Sequence, residues 1–281
     1  MPGGTAMDFD LTHARHDPAH CLAPGLFRSL VKGERKKAKL DVTYHYGEHE
    51  QARFIGFEPL GADDLRFLQG LIALGGPEGF IVTPNPTSKK PKELRQLLDP
   101  KFDAVHQNAL VVKTKISSLL HEVGLSDGGK NITAFKNSLL RMSNVTVVLT
   151  KGARQASSHL LSFALDDDDG DMHVCLNPRI TEAILGKRAH TMLLMDEVRN
   201  LKTNPARLIH QRLCGWINAS ELGRVQLDTL CEYVWPKSTN PNSMRRRRSK
   251  VRKTVIELEN VGWTVNEYAQ NKYELTRPNR Q

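Results

Sequence analysis

The chain holds little of what a disulfide-bonded, membrane-spanning or zinc-dependent protein needs. Its 281 residues include four cysteines, Cys21, Cys175, Cys214 and Cys231, with no CxxC pair and no zinc-finger spacing. That excludes a disulfide framework and a clustered zinc module. Cys214 and Cys231 fall in apolar helical patterns and read as small core residues. No apolar run approaches the roughly 18 residues that cross a bilayer. The start has no secretory apolar segment, and Pro2-Gly3-Gly4-Thr5 reads as a disordered lead-in. The expectation is a cytoplasmic protein with reduced thiols and no membrane partner. No His-x-His occurs, so the metal pair of a rolling-circle nickase is missing.

Acidic residues are absent where basic ones gather. The whole chain carries 40 Lys and Arg against 31 Asp and Glu, a net charge of +9. Between Tyr233 and Ile256 there are eight basic residues and no acidic one, so their repulsion is uncompensated unless an anion is present. Met244, Arg248, Val251, Val255 and Leu258 repeat at +4, +3, +4, +3 and share one helix face. At about 100° per residue, Arg246, Lys250 and Lys253 face the other way, with Arg245, Arg247 and Arg252 on the flanks. A solvated face or a localisation signal would also be basic, but a disordered basic tail lacks the apolar stripe. The segment runs into an alternating hairpin, Trp263 to Tyr268 and Tyr273 to Thr276, turning at Ala269-Gln270-Asn271-Lys272. A cationic helix followed by a wing suits a DNA groove. The candidate contacts are Arg245, Arg246, Arg247, Ser249, Lys250, Arg252, Lys253, Asn271 and Lys272.

The same order of elements occurs earlier. Ala109 to Lys113 reads as a strand, Thr114 to Val123 as a helix, Gly124 to Gly129 as a break, and Lys130 to Met142 as a second helix. Val145 to Thr150 and His159 to Leu165 are expected to form the hairpin. In the later copy these elements are Val225 to Leu227, Asp228 to Val234, the break 236–242, the basic helix and the terminal hairpin. From strand start to hairpin start the offsets are 36 and 38 residues, which argues for a duplication. In the first copy Ile132, Phe135, Leu139 and Met142 form the stripe, leaving Lys130, Thr133, Asn137 and Arg141 as candidate DNA contacts. Packing or dimerisation is the plainer use of that helix. A longer helix precedes each unit: Ala62 to Leu74, and one capped by Asn204 whose buried face holds Ile209, Leu213, Trp216 and Ile217.

The fold class expected is α+β, two tandem winged-helix domains with an N-terminal extension. Residues 1–59 form the extension, a small hairpin laid on the first domain. Residues 60–177 form the first domain and 178–281 the second, joined by a linker helix from Pro178 to Leu185. Two such units would place their helices in successive major grooves, about 10 bp apart.

Other motifs fail on physical grounds. Gly124 to Asn131 nearly matches a phosphate loop, but Asn131 replaces the magnesium-binding hydroxyl and the loop follows a helix. Its glycines fit a turn between helices better. His13, His16 and His20 have helical spacing, but Asp17-Pro18 breaks the helix, so capping and packing are expected. The acidic run Asp166 to Asp171 lacks the length and terminal Glu of a calcium loop and reads as a hairpin tip pointing away from DNA. No catalytic constellation, metal or cofactor is expected.

Over almost its whole length the chain resembles the RepC replication initiators of IncQ-type plasmids. The matching stretches are His16-Asp-Pro-Ala-His-Cys-Leu-Ala-Pro-Gly-Leu-Phe-Arg28, Pro59-Leu-Gly-Ala-Asp-Asp-Leu65, Met195-Asp-Glu-Val-Arg199, Leu208-Ile-His-Gln-Arg-Leu-Cys-Gly-Trp216, Asp228-Thr-Leu-Cys231, Tyr233-Val-Trp-Pro236 and Gly262-Trp-Thr-Val265. The first seven residues and the loops near Asn85 to Lys92 and Asp166 to Asp171 are less similar. The resemblance implies a DNA-binding replication initiator with two winged helices. Such a protein binds directly repeated iterons of double-stranded origin DNA, helps open the duplex, and serves a plasmid-encoded helicase and primase, as a monomer or homodimer. A transcriptional repressor would need the same DNA surface without the helicase contact, but more often works as a two-fold dimer on a palindrome.

Overall fold

The computed structural model describes residues 9–76, 79–82, 109–166 and 170–279, with isolated positions between 85 and 96. The lead-in Pro2 to Thr5, most of the loop near Asn85 to Lys92, and positions 167–169 of the acidic run lie outside the described residues.

The C-terminal half follows the expected order. Strand β11 (Leu222–Gln226), helix α8 (Leu227–Val234), helix α9 (Pro241–Glu259) and the hairpin β12 (Thr264–Ala269) and β13 (Lys272–Thr276) follow in sequence. Asn240 caps α9 by accepting from the Ser243 amide, and Pro241 fills a first-turn position that needs no donor. Val251, Thr254, Val255 and Leu258 are buried, against α8 and the preceding helix α7 (Asn204–Cys214). Thr203, one residue before the expected cap, accepts from the Ala206 amide, so Asn204 is the first helical residue. Trp216, expected inside, lies beyond the helix end and is 38% exposed. Asn271 takes the left-handed conformation that a two-residue turn needs. The sheet order is β11-β13-β12.

The N-terminal half uses the same plan with an insertion. Helix α2 (Ala62–Leu74), β5 (Ala109–Lys115), α3 (Ile116–Glu122) and α4 (Gly129–Ser143) precede four strands, β6 (Thr146–Lys151), β7 (Arg154–His159), β8 (Leu161–Leu165) and β9 (Asp171–Leu176). The expected hairpin between Val145–Thr150 and His159–Leu165 does not form. Instead β6 pairs with β7 around Gly152, while β8 pairs with β9 and β9 with β5. The chain changes sheet at Leu160, fully buried, whose amide bonds the Val145 carbonyl. Strand β4 (Gly79–Val82) completes the order β4-β5-β9-β8, whose last three strands match β11-β13-β12. The hairpin equivalent to the terminal one is therefore β8–β9.

The N-terminal segment reaches both halves. Hairpin β2 (Leu40–Gly47) and β3 (Glu50–Gly56) extends the inserted one into a sheet ordered β2-β3-β6-β7. Strand β1 (His13–His16), however, pairs antiparallel with β10 (Thr191–Leu194) of the C-terminal half. Helix α5 (Pro178–Ile184) buries Ile180 and Ala183 and packs on β1 and β5 instead of spanning a gap. One apolar cluster runs from Leu26 and Leu65 through Leu193 and Leu213 to Leu258. Each fully buried leucine in it contributes about 1.5–3 kcal/mol.

Two buried polar groups stitch the segment boundaries. Asp17 caps helix α1 (Pro18–Leu22), lies 3.0 Å from His20 Nδ1 and pairs with Arg179 of α5 at 3.2 Å. Glu197 of helix α6 (Met195–Asn200) meets His210 Nε2 of α7 at 2.5 Å. Burial, with His20 beside it, lowers the His16 imidazole to about 3. Burial also opposes charge on His210, but Cys214 and the Glu197 carboxylate outweigh it and raise it to about 10. His16 thus stabilises the native state fully above pH about 6.5 and loses this as pH falls toward 3. The His210 contribution is complete below pH about 6.5 and fades as pH rises toward 10. Denaturant titrations should show His16→Leu flattening the acid limb. His210→Gln should flatten the alkaline limb and lower stability at pH 7 by about 3–5 kcal/mol, because Glu197 is left buried without its partner. An unchanged alkaline limb in His210→Gln would contradict this.

Candidate nucleic-acid interface

Helix α9 sorts its cations into held and unheld groups. Arg248, expected on the apolar stripe, grips the Asp228 carboxylate of α8 through Nε and Nη2, both at 2.6 Å. The Arg248 guanidinium holds that carboxyl below its usual range. Arg247 donates to the carbonyls of Trp235 at 3.4 Å and Lys237 at 2.7 Å, tying α9 to the α8–α9 connection. Arg252 donates to Asn271 Oδ1 at 2.5 Å and so joins the helix to the hairpin tip. Arg245, Arg246, Lys250 and Lys253 remain exposed with no carboxylate partner among the described residues, and Ser249 lies exposed among them. Lys250 Nζ and the Arg247 guanidinium sit 5.7 and 5.6 Å from the Trp235 ring centroid, within cation–π range. Lys272 is exposed at the hairpin tip. Glu257 fixes the far end of α9 by accepting from the amides of Lys202 and Thr203 and from Thr203 Oγ1.

Helix α4 presents less charge. Lys130, Thr133 and Asn137 are exposed on it, with Thr133 Oγ1 bonded back to the Gly129 carbonyl at 2.8 Å. Arg141 departs from the expected outward face. Its Nε and Nη2 donate to Asp64 Oδ1 at 3.1 and 2.7 Å, and its side chain is only 16% exposed. Asp64, fully buried at the start of α2, also accepts from Ser138 Oγ at 2.5 Å, the Gly61 amide at 2.7 Å and Arg35 Nη1 at 3.0 Å. A charge this deep requires such partners, which places Arg141 in the packing of α4 on α2. Beside it Phe57 and Leu140 are 75% and 57% exposed and, with Asn137, line a shallow cavity of about 340 Å³.

The loop of the near phosphate motif is the turn between α3 and α4. Gly124 has a positive φ of 71°, and Asn131 Nδ2 closes the loop by donating to the Ser126 carbonyl at 2.9 Å. The two hairpin tips differ in sign. Acidic residues flank the β8–β9 tip, where Asp171 lies 3.8 Å from Lys115, whereas Asn271 and Lys272 form the other.

One group of metal-ligating residue types escaped the sequence reading. Glu197, His210 and Cys214 are buried with their ligand atoms within 4.8 Å of one another. Only the His210-Cys214 half, one helical turn apart on α7, leaves a trace in the sequence. The 2.5 Å contact of Glu197 with His210 makes it an ion pair that docks α6 on α7. Among the described residues no helix is long and apolar enough to cross a membrane.

The chain is similar in fold to a selenomethionine derivative of domains 2 and 3 of RctB, with a TM-score of 0.55 at 9% identity. That match covers 94% of this chain and 99% of the other. A second structure of RctB domains 2–3 gives 0.52 at 9% identity, covering 89% and 95%. The Pi initiator protein, solved in complex with iteron DNA, gives 0.42 at 14% identity over 97% and 100%. No curated protein matches the chain in sequence. The family model described as Replication protein C (RepC) matches residues 8–279, nearly the full length, and the chain belongs to the RepC replication protein family.

Proposed function

We propose that this chain initiates plasmid replication by binding directly repeated iterons in double-stranded origin DNA. Its two units act as tandem winged helices, and the protein opens the duplex for the plasmid helicase and primase. It works by binding alone, with no chemical step of its own. Membership of a replication protein family supports the reading, and the geometry of α9 carries it. This helix is fixed to the core along one face, locked by Arg248–Asp228 at one edge, and presents on the other four cations with no carboxylate partner among the described residues. The rigid placement means little ordering entropy is lost when phosphates bind.

Together with Lys130 and Lys272 these supply about six cations, so log K should fall against log salt with a slope of about −5 or steeper. Arg246→Ala with Lys250→Ala should flatten it by about 1–2. A slope unchanged by that pair would place α9 away from DNA.

Asn137→Ala should weaken binding to the cognate repeat by about 1–3 kcal/mol and spare unrelated DNA. Arg141→Ala should instead cost about 1–3 kcal/mol of folding stability, because the buried Asp64 carboxylate loses the two donors Arg141 supplies. Thermal melts beside binding curves separate the two, and an Arg141→Ala protein of full stability that loses only specific binding would reverse the assignment.

A further inference from the structure

The segment between α1 and β2 carries a second basic cluster, and the fold ties it to the elements that hold both candidate recognition helices. The Ser29 amide bonds the Val234 carbonyl at the end of α8, at 2.9 Å. Gly25, at a φ of 82°, lies so close to Pro236 that a Cβ there would stand 2.9 Å from its ring. Those contacts join the segment to the α8–α9 connection, the same stretch that receives Arg247 from α9. Further along, Arg35 Nη1 pairs with Asp64 Oδ2 at 3.0 Å, on the carboxylate whose other oxygen receives Arg141 from α4. The loop is thus tied at one side to the α9 unit and at the other to the α4 unit.

Its acidic residue is already committed. Glu34 pairs with Arg28 at 2.9 Å and accepts from the Val31 amide at 3.2 Å, while its carbonyl receives the amides of Lys37 and Ala38 at 3.0 Å. Lys32, Lys36, Lys37 and Lys39 are left exposed, with no carboxylate partner among the described residues. Four like charges held within eight residues repel one another, and a polyanion would relieve that repulsion.

We propose that Lys32, Lys36, Lys37 and Lys39 form a third DNA contact, a clamp on the sugar–phosphate backbone that lies between the grooves occupied by α4 and α9. The proposal rests on the duplex-binding function put forward above and assigns a role to the N-terminal segment within it. Lysines on a turn act as point charges without the planar fork that reads base edges, so the contact is blind to sequence.

The test uses the full chain with Lys32→Gln, Lys36→Gln, Lys37→Gln and Lys39→Gln together. Binding is measured from 50 to 200 mM salt on a duplex carrying the origin repeat and on a scrambled duplex of equal length. The salt slope should become shallower by about 2–4 on both duplexes, with the ratio of their affinities unchanged. Thermal melts should match the parent, because none of the four side chains has a carboxylate partner among the described residues to lose. Mass-spectrometric acetylation of the unaltered protein should show these lysines shielded by either duplex. Unchanged slopes together with unshielded lysines would overturn the clamp while leaving the function of α9 standing. A loss confined to the origin repeat would overturn it too, because it would mean base readout. If acidic vesicles shield the lysines and neither duplex does, the surface belongs to a membrane and the proposal fails. Failure of the unaltered chain to bind any origin duplex would instead overturn the proposed function itself.

Discussion

The burial of one face of α9 decides which of its cations are left for a ligand. Val251, Val255 and Leu258 are almost completely removed from solvent, and three such side chains together contribute several kcal/mol. Rotating the helix to hide its arginines would expose them. The core therefore forces Arg245, Arg246, Lys250 and Lys253 outward, and the held arginines keep the helix from turning. Arg248 ties it to α8, Arg247 to the connection before it, and Arg252 to the hairpin tip. The repulsion among these exposed cations, which have no carboxylate partner among the described residues, is held in place by these neighbours and would be relieved by a bound anion.

The same constraint extends to the first unit through the shared core. Helix α2 packs on α4 and on α7, and β1 pairs across to β10, so neither half closes its core alone. The Asp64 carboxylate holds α2, α4 and the basic loop together. The geometry between α4 and α9 is then set by packed apolar surface and buried ion pairs rather than by a tether. The spacing between the exposed faces of α4 and α9 is thus a property of the core.

What was legible in the sequence is what local periodicity encodes. The stripe of α9 and the alternation and turn of β12–β13 are written within a few residues, and the structure keeps them with shifts of one or two positions. The short α8 and the α3–α4 pair with its glycine turn were also readable. Local misreadings are small, a cap displaced by one residue and Trp216 lying past its helix end, and the larger ones lie in long-range pairing. Alternation marks β6 and β8 as strands but says nothing about partners, so it cannot tell the inserted hairpin from the one that closes the unit. Strand β1 finds β10 far along the chain. Arg141 has the spacing of an outward residue, yet Asp64, 77 positions earlier, turns it inward. On α9 the stripe turns Arg245, Arg246, Lys250 and Lys253 to the surface. Arg247 and Arg252 are drawn into bonds with the α8–α9 connection and the hairpin tip, and Arg141 is oriented by a distant buried charge.

In the proposed function one molecule presents both helices to one face of one duplex. Hydroxyl-radical footprinting of a single origin repeat tests it. Protection should cover roughly two helical turns on one face, with two centres about 10 bp apart and unequal strength, because α4 and α9 carry different side chains. A footprint with two-fold symmetry, or one confined to a single turn, would contradict the arrangement.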